Sequence, residues 1–286
     1  MDPLTAAIKA RDLTQRVKNT TIPVPLEPYL EALGCELKVR DLGHGESGHS
    51  FIHAEKHYII VNGKESPERQ RFTVFHELGH SELGLPSDHE NQSSIGFIRR
   101  TPNEICCDVF AAELLLPYQV FNPLVDKAEI SFAAIDELAD RFEASTTATG
   151  SRFVAANRAP CAFVLSEAGK VKYAERSKSL REANAWISPK MALPVGSLSA
   201  RCRSGETVRG AEEIAADVWF SDWSRGGVLL EEVRHLLTYD QTLTLLWFED
   251  EEVPRESTSD KAYNEDDELL RPLDGKLTFP TRRRRR

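Results

Sequence analysis

Two histidines four residues apart, with a glutamate directly after the first, are the residues of this chain best placed to do chemistry. The stretch reads Phe75-His76-Glu77-Leu78-Gly79-His80. On a helix, positions four apart lie on one face, one turn above each other. His76 and His80 therefore aim two imidazoles at one point, as two nitrogen ligands of a single zinc ion must be aimed. Glu77 is offset by one residue, so its carboxylate reaches a water beside the metal without being forced to ligate it. This is the H-E-x-x-H pattern of zinc peptidases. The bland alternative is a partly buried helix whose two histidines only form hydrogen bonds.

The elements around the motif have to position it. Phe72, Phe75 and Leu83 form a helical apolar face beside the histidine stripe. Ser66 is a good N-cap for this helix, with Pro67 at its first position and Glu68 in its first turn. Arg69 stands three residues after Ser66, so the reciprocal capping box is absent.

A catalytic zinc takes three protein ligands and keeps one position for water. A metzincin-type third ligand requires a glycine at 83 and a histidine at 86, and the chain has Leu83 and Pro86. Asp88, His89 and Glu90 lie in a loop-like stretch, 84–101, and loops place ligands less firmly than helices. The next stretch, Asn103 to Leu116 before Pro117, reads as a strong helix. Glu104, Asp108 and Ala111 share one face of it, while Glu113 points roughly the opposite way. Small Ala111 lets this helix approach the metal helix. Glu104 is then the third ligand, and Asp108 accepts a hydrogen bond from a metal-bound histidine and orients it. The alternative is a solvated Glu104, favoured in a first turn by the helix dipole.

The totals set the class. With 286 residues, the chain is long for one domain and comfortable for two. It is 41% hydrophobic and 28% charged, which allows a real core and a soluble surface. No run reaches the length of a membrane span, and Met1-Asp2-Pro3-Leu4 does not begin a secretion signal. Cys35, Cys106, Cys107, Cys161 and Cys202 lack C-x-x-C spacing and read as reduced thiols. Adjacent Cys106 and Cys107 face different ways on a helix and do not share a metal. The expectation is a cytoplasmic protein with no membrane partner. Its net charge of −9 gives the bulk no pull toward DNA.

Taken in order, residues 4–18 pattern as an amphipathic helix and 26–33 as a short one ending at Gly34. Residues 36–40 alternate as a strand, and 50–53 with 58–62 read as a hairpin, ended by the Asn62-Gly63 turn. An extended substrate can add a strand to an exposed sheet edge. Tyr58, Ile60 and Asn62 are therefore candidate substrate-binding residues; the alternative is an ordinary strand under the helix. His44, His49, His53 and His57 offer a second metal site only if they are more than solvated loop residues. Residues 131–143 and 147–157 are two helices joined by Ala144-Ser145-Thr146, the outline of a helix-turn-helix. Its alternative is a packing layer, since Arg152 and Arg158 are few cations for a DNA reader. From Pro160, residues 162–165, 170–173, 227–233 and 241–248 read as strands and 211–219 as a helix. Trp186, Trp219, Trp223 and Trp247 are read as core. Residues 249–268 are acidic and expected to be disordered. Arg282 to Arg286 reads as a solvated basic tail, with contact to nucleic acid or an acidic partner as the alternative.

Two stretches together resemble the ImmA/IrrE family of bacterial metallopeptidases, and within it the IrrE-like (PprI-like) branch of radiation and stress response regulators. One is Ser66-Pro67-Glu68-Arg69-Gln70-Arg71-Phe72-Thr73 leading into the metal motif. The other is Glu104-x-x-x-Asp108-x-Phe110-Ala111-Ala112-Glu113-Leu114-Leu115-Leu116-Pro117. The resemblance implies that His76, His80 and Glu104 bind the metal and that Glu77 is catalytic. The metal it implies is Zn2+, with Mn2+ as a substitute. The chain departs from the family at Asp108, usually Asn, and at Leu116, often Met; neither change removes a ligand. The fold expected is α+β. A zincin-like peptidase domain spans 1–126 and a helix-turn-helix-like segment 127–158. An α+β GAF-like domain spans 159–250 and a charged tail 251–286. The implied function is a zinc endopeptidase that cleaves an XRE-class transcriptional repressor and so induces stress or DNA-damage response genes. Direct DNA contact stays open. A rival is a non-hydrolytic regulator that binds DNA or a repressor and uses zinc only as a fold element, although such a site needs no Glu77. A member of the same family that cleaves a phage repressor or acts like an antitoxin is a second rival, and the long second half favours the IrrE-like type.

Overall fold

The metal motif sits on a long helix that lies on a small sheet, and the local sequence explains both. The computed structural model describes residues 1–19, 21–43, 45–86, 101–249 and 253–254. Helix α1 (Pro3–Val17) opens on Asp2, whose side chain accepts from the Thr5 N–H at 3.0 Å. After the short α2 (Glu27–Ala32), strands β1 (Cys35–Arg40), β2 (Gly48–His53) and β3 (Lys56–Asn62) form a sheet in the order β1-β3-β2. Helices α3 (Pro67–Leu83) and α4 (Pro102–Leu115) follow. Alternate residues Ile59 and Val61 of β3 are buried in one core with Phe75 and Leu78 of α3. That alternation is what lets one face of a strand support a helix.

Three helices and a strand shared with the second half follow. They are α5 (Tyr118–Val125), α6 (Phe132–Phe142), α7 (Thr146–Ala156) and β4 (Cys161–Glu167). The helices at α6 and α7 stand close to where the sequence puts them, each capped by a serine, Ser131 and Ser145. Alternation along β4 then divides two cores. Cys161, Phe163 and Leu165 belong to the core of the first half, and Ala162 and Val164 to a second cluster. Gly150 of α7 lies where an added Cβ would come within 2.5 Å of the Phe163 ring, so the absence of a side chain sets how closely α7 covers β4. The helical pair therefore packs as a layer between the two halves.

The second half is a five-stranded antiparallel sheet. With β5 (Lys170–Arg176), β6 (Glu212–Ala215), β7 (Val228–Leu236) and β8 (Gln241–Trp247), its order is β5-β4-β8-β7-β6. Short helices α8 (Lys178–Glu182), α9 (Leu198–Arg203) and α10 (Ala216–Trp219) accompany it. Glu231, fully buried in β7, accepts from the backbone N–H groups of Leu198 and Ser199 at 3.0 and 2.9 Å and so holds α9 to the sheet.

Three sequence expectations change here. Residues 211–219 are not one helix: Glu212–Ala215 pairs with β7, and the helix is only Ala216–Trp219. Edge pairing to a neighbouring strand overrides the local helical pattern. Trp186 is 48% exposed, with the Arg176 guanidinium over its ring, so it is not core. Most important, β3 is a central strand. It pairs with β1 in parallel and with β2 in antiparallel fashion, so Tyr58, Ile60 and Asn62 present no free edge for a substrate strand. Parallel pairing to β1 is non-local and has no local sequence signal. Expectations about Asp88, His89, Glu90, His44 and the tail at 255–286 lie outside the described residues.

A buried carboxylate ties the helical layers together. Glu113 of α4, 2% exposed, accepts from Arg11 Nε of α1 at 2.8 Å and from the Tyr118 backbone N–H at 3.2 Å, and it also pairs with Arg152 of α7. Arg152, a half-buried side chain, is thereby engaged by Glu113, which occupies one of the few cations of a DNA-reading helix. Glu113→Ala leaves two guanidiniums and a backbone donor without their acceptor. It is expected to cost about 3 kcal/mol, read as a drop of several degrees in the thermal midpoint. An unchanged melting curve would show that the network adds nothing.

Candidate metal centre

Both ends of α3 are fixed by local chemistry. The Ser66 hydroxyl accepts from the Arg69 N–H at 3.3 Å. At the other end Gly84 takes a left-handed conformation, φ +65°, and the Leu85 N–H returns to the His80 carbonyl at 3.0 Å. Glycine adopts that turn without steric cost. The returning chain brings the Leu85 carbonyl within 3.2 Å of His80 Nδ1. A carbonyl only accepts, so His80 carries its proton on Nδ1 and turns Nε2 inward.

Helix α4 supplies the other side. Thr101 caps it, accepting from the Glu104 N–H at 3.5 Å. It crosses α3 closely at Gly79, where an added Cβ would stand 3.3 Å from Cys107 Cα and 3.3 Å from a Phe110 ring carbon. The sequence points to Ala111 for this approach. Ala111 is fully buried, and Gly79 is the residue on the opposite helix that makes room. Asp108 Oδ1 stands 3.0 Å from His76 Nδ1, which fixes the His76 tautomer as Leu85 fixes that of His80.

Three groups converge as a result. His76 Nε2 lies 3.0 Å from Glu104 Oε2 and 3.2 Å from His80 Nε2, and His80 Nε2 lies 3.4 Å from Glu104 Oε1. Metal–ligand bonds of about 2.1 Å in a tetrahedron separate neighbouring ligand atoms by about 3.4 Å. The three donors thus stand at spacings one small cation accommodates, and a two-nitrogen, one-carboxylate set suits zinc. They are the one such group of three among the described residues; His49, His53 and His57 form none. Burial works to raise the Glu104 pKa, but hydrogen bonds and charge from His76 and His80 outweigh it and hold the carboxyl well below its ordinary range. Glu104 is therefore a ready anion at the centre, not a solvated first-turn residue: it is 2% exposed. Burial, reinforced by Glu104 and Glu77, pushes the neighbouring Cys107 thiol up to about 12, which keeps it protonated and out of the donor set.

Glu77 is 1% exposed, and its Oε2 accepts from the Ser50 hydroxyl at 2.8 Å. Ser50 stands on β2, an edge strand among the described residues, directly opposite Ile59 and hence on the face that meets α3. Tyr58 and Ile60 have the other parity and point away from the metal helix. Tyr58 stacks on Phe51 with ring centroids 5.4 Å apart. Asn62 is buried, and its side-chain nitrogen donates to the Gly43 and Glu46 carbonyls at 2.9 Å each, which makes it a loop anchor. Sequence reasoning missed Ser50 and the Leu85 carbonyl. The Asn62-Gly63 turn is a local signal, but assigning Ser50 to the helix face needs the strand register.

Asp108 tests how much the orientation of His76 matters. Asp108→Ala is expected to weaken zinc binding about 10- to 100-fold. Asp108→Asn keeps a side-chain oxygen to accept from Nδ1 and should lose far less. Competition with a chromogenic chelator measures both; equal losses would mean that charge, not orientation, is what Asp108 supplies.

Comparison with known proteins agrees with the geometry. The family model described as the IrrE N-terminal-like domain matches residues 30–153. Two curated relatives carry the name radiation response metalloprotease IrrE. That of Deinococcus radiodurans is 27% identical over 188 residues, 64% of this chain and 55% of that protein. That of Deinococcus deserti is 35% identical over 97 residues, 32% of this chain and 34% of that protein. Residues 30–153 of this chain are thus similar to the ImmA/IrrE family. The matched segment holds His76, Glu77, His80 and Glu104, together with β2 and its Ser50. The chain spans about half and about a third of the length of the two relatives it matches. A solved structure, a Mycobacterium tuberculosis transcriptional regulator, aligns with a TM-score of 0.57 at 15% identity, covering 85% of this chain and 76% of that one. That likeness is one of fold. Among the described residues no helix is long and apolar enough to cross a membrane.

Proposed function

We propose that this chain is a zinc-dependent endopeptidase that acts on a protein, with a helix-turn-helix repressor of the XRE class as its substrate. The observation that carries the metal assignment is the convergence of His76, His80 and Glu104, each His with its outer nitrogen already engaged. Those three side chains would hold the zinc. When bound, zinc polarises the scissile carbonyl and lowers the pKa of water at its open position. Glu77, one residue along the helix from His76, takes a proton from the attacking water on its carboxylate and later delivers it to the leaving amine. The buried surroundings of Glu77 exclude bulk water from that transfer.

The substrate seat moves with the sheet topology. Among the described residues β2 is the strand at the edge beside α3. An extended substrate segment that adds to β2 runs past Ser50 and therefore past Glu77. The second half, an antiparallel sheet with short helices, suits a GAF-like sensor module in a chain divided at residues 126, 158 and 250. Cleavage of a repressor would induce stress or DNA-damage genes from the cytoplasm. The test is to incubate the full chain with candidate XRE-class repressors, with zinc and after its removal, and to identify fragments by mass. One zinc-dependent cut in the repressor supports the proposal. Intact repressors across the panel in the presence of bound zinc would sink it.

A further inference from the structure

The edge strand follows the metal helix in step. Gly48 meets α3 at Thr73, where an added Cβ would come within 2.6 Å of Thr73 Cγ2 and of the Ile60 carbonyl. Two residues on, Ser50 Oγ donates to Glu77 Oε2 at 2.8 Å. Two further on, Ile52 is paired with His57, whose Nδ1 lies 3.3 Å from Ser81 Oγ. Thr73, Glu77 and Ser81 are four apart and lie on one stripe of α3. Two residues of strand advance about 6.7 Å and four residues of helix about 6.0 Å, so strand and helix stay matched over this length. Gly48 permits the close approach, and the matched rise delivers one hydroxyl to Glu77.

We infer that Ser50 is the positioning residue of Glu77. This rests on the peptidase proposal. A glutamate has three side-chain torsions, and a proton carrier must keep its carboxylate in one place while water and amine exchange around it. The Ser50 hydroxyl donates a charge-assisted hydrogen bond to one carboxylate oxygen and so fixes the plane of the group. Ser50 does this from the same edge strand on which a substrate would lie. A peptide seated there and the proton carrier are therefore set by one element. Among the described residues no hydrogen bond joins Ser50 to His76, His80 or Glu104, so its loss should leave zinc affinity unchanged.

The test uses the zinc-loaded full chain and acetohydroxamate, followed by calorimetry. A hydroxamate that chelates zinc donates a hydrogen bond to the adjacent carboxylate, so its affinity reports where Glu77 stands. Ser50→Ala is expected to weaken acetohydroxamate about tenfold, the scale of one charged hydrogen bond, at unchanged zinc affinity. Ser50→Thr, which keeps the hydroxyl and suits a strand, should restore it. In the double variant with Glu77→Ala, the Ser50 change should add nothing, because it acts only through Glu77. Equal affinity in wild type and Ser50→Ala, or fully additive losses, overturns the positioning role alone. Zinc-loaded wild type that does not bind acetohydroxamate overturns the peptidase proposal, and the positioning role with it.

Discussion

Glu77→Gln is expected to lower repressor cleavage by about 10²- to 10⁴-fold, the usual contribution of a positioned proton carrier, while zinc binding stays at the wild-type level. The two parts of this expectation have separate physical sources. Glutamine matches glutamate in size and keeps an oxygen to accept from Ser50, so the packing of β2 on α3 survives. It cannot take a proton at neutral pH. Glu77 is also absent from the convergent group of His76, His80 and Glu104, so the donors of the metal are untouched. Single-turnover cleavage and zinc stoichiometry on the same sample separate the effects. If the variant still cleaves at the wild-type rate, Glu77 is not the proton carrier. If repressor release persists in cells that carry a variant unable to cleave, the regulator acts without hydrolysis.

Glu104→Ala should have a different signature: loss of zinc rather than loss of turnover at full occupancy. The expected fall in affinity exceeds the roughly 100-fold ceiling for residues that only orient a ligand, because a charged donor is removed from a buried site. His76 and His80 would remain 3.2 Å apart at their Nε2 atoms, with no anion to offset a shared cation. Excess zinc should rescue part of the activity. A variant that binds zinc as the wild type does would show that Glu104 serves some purpose other than ligation, and would move attention to Asp108 as the donor.

Much of the first half is legible in sequence because its signals are local. Ser66 and Pro67 start α3, Gly84 ends it, and the spacing of His76 and His80 needs only the helical period. Glu104 and Asp108 become a pair by the same period, and the small residues that let the two helices touch are visible, although Gly79 is easier to see as part of a motif than as a contact. What is not legible is what depends on long-range pairing. Cys35–Arg40 docks in parallel beside β3, which turns the expected edge into the middle of the sheet and leaves β1 and β2 as its edges among the described residues. The same register decides that Ser50, and not His49 or Phe51, faces Glu77. In the second half Glu212–Ala215 yields to pairing with β7 against its helical neighbours. Glu113 is the opposite lesson. Its direction away from Glu104 was readable, but its two arginine partners come from 102 and 39 residues away.

One metal is expected between α3 and α4, held by His76, His80 and Glu104. A crystal structure of the zinc-soaked full chain, with anomalous scattering collected at the zinc edge, tests it most directly. One peak is expected between His76 Nε2, His80 Nε2 and the Glu104 carboxylate, with a water as the fourth neighbour and Glu77 within hydrogen-bond reach of that water. A closed site with a fourth protein ligand, or a peak elsewhere in the molecule, would contradict it.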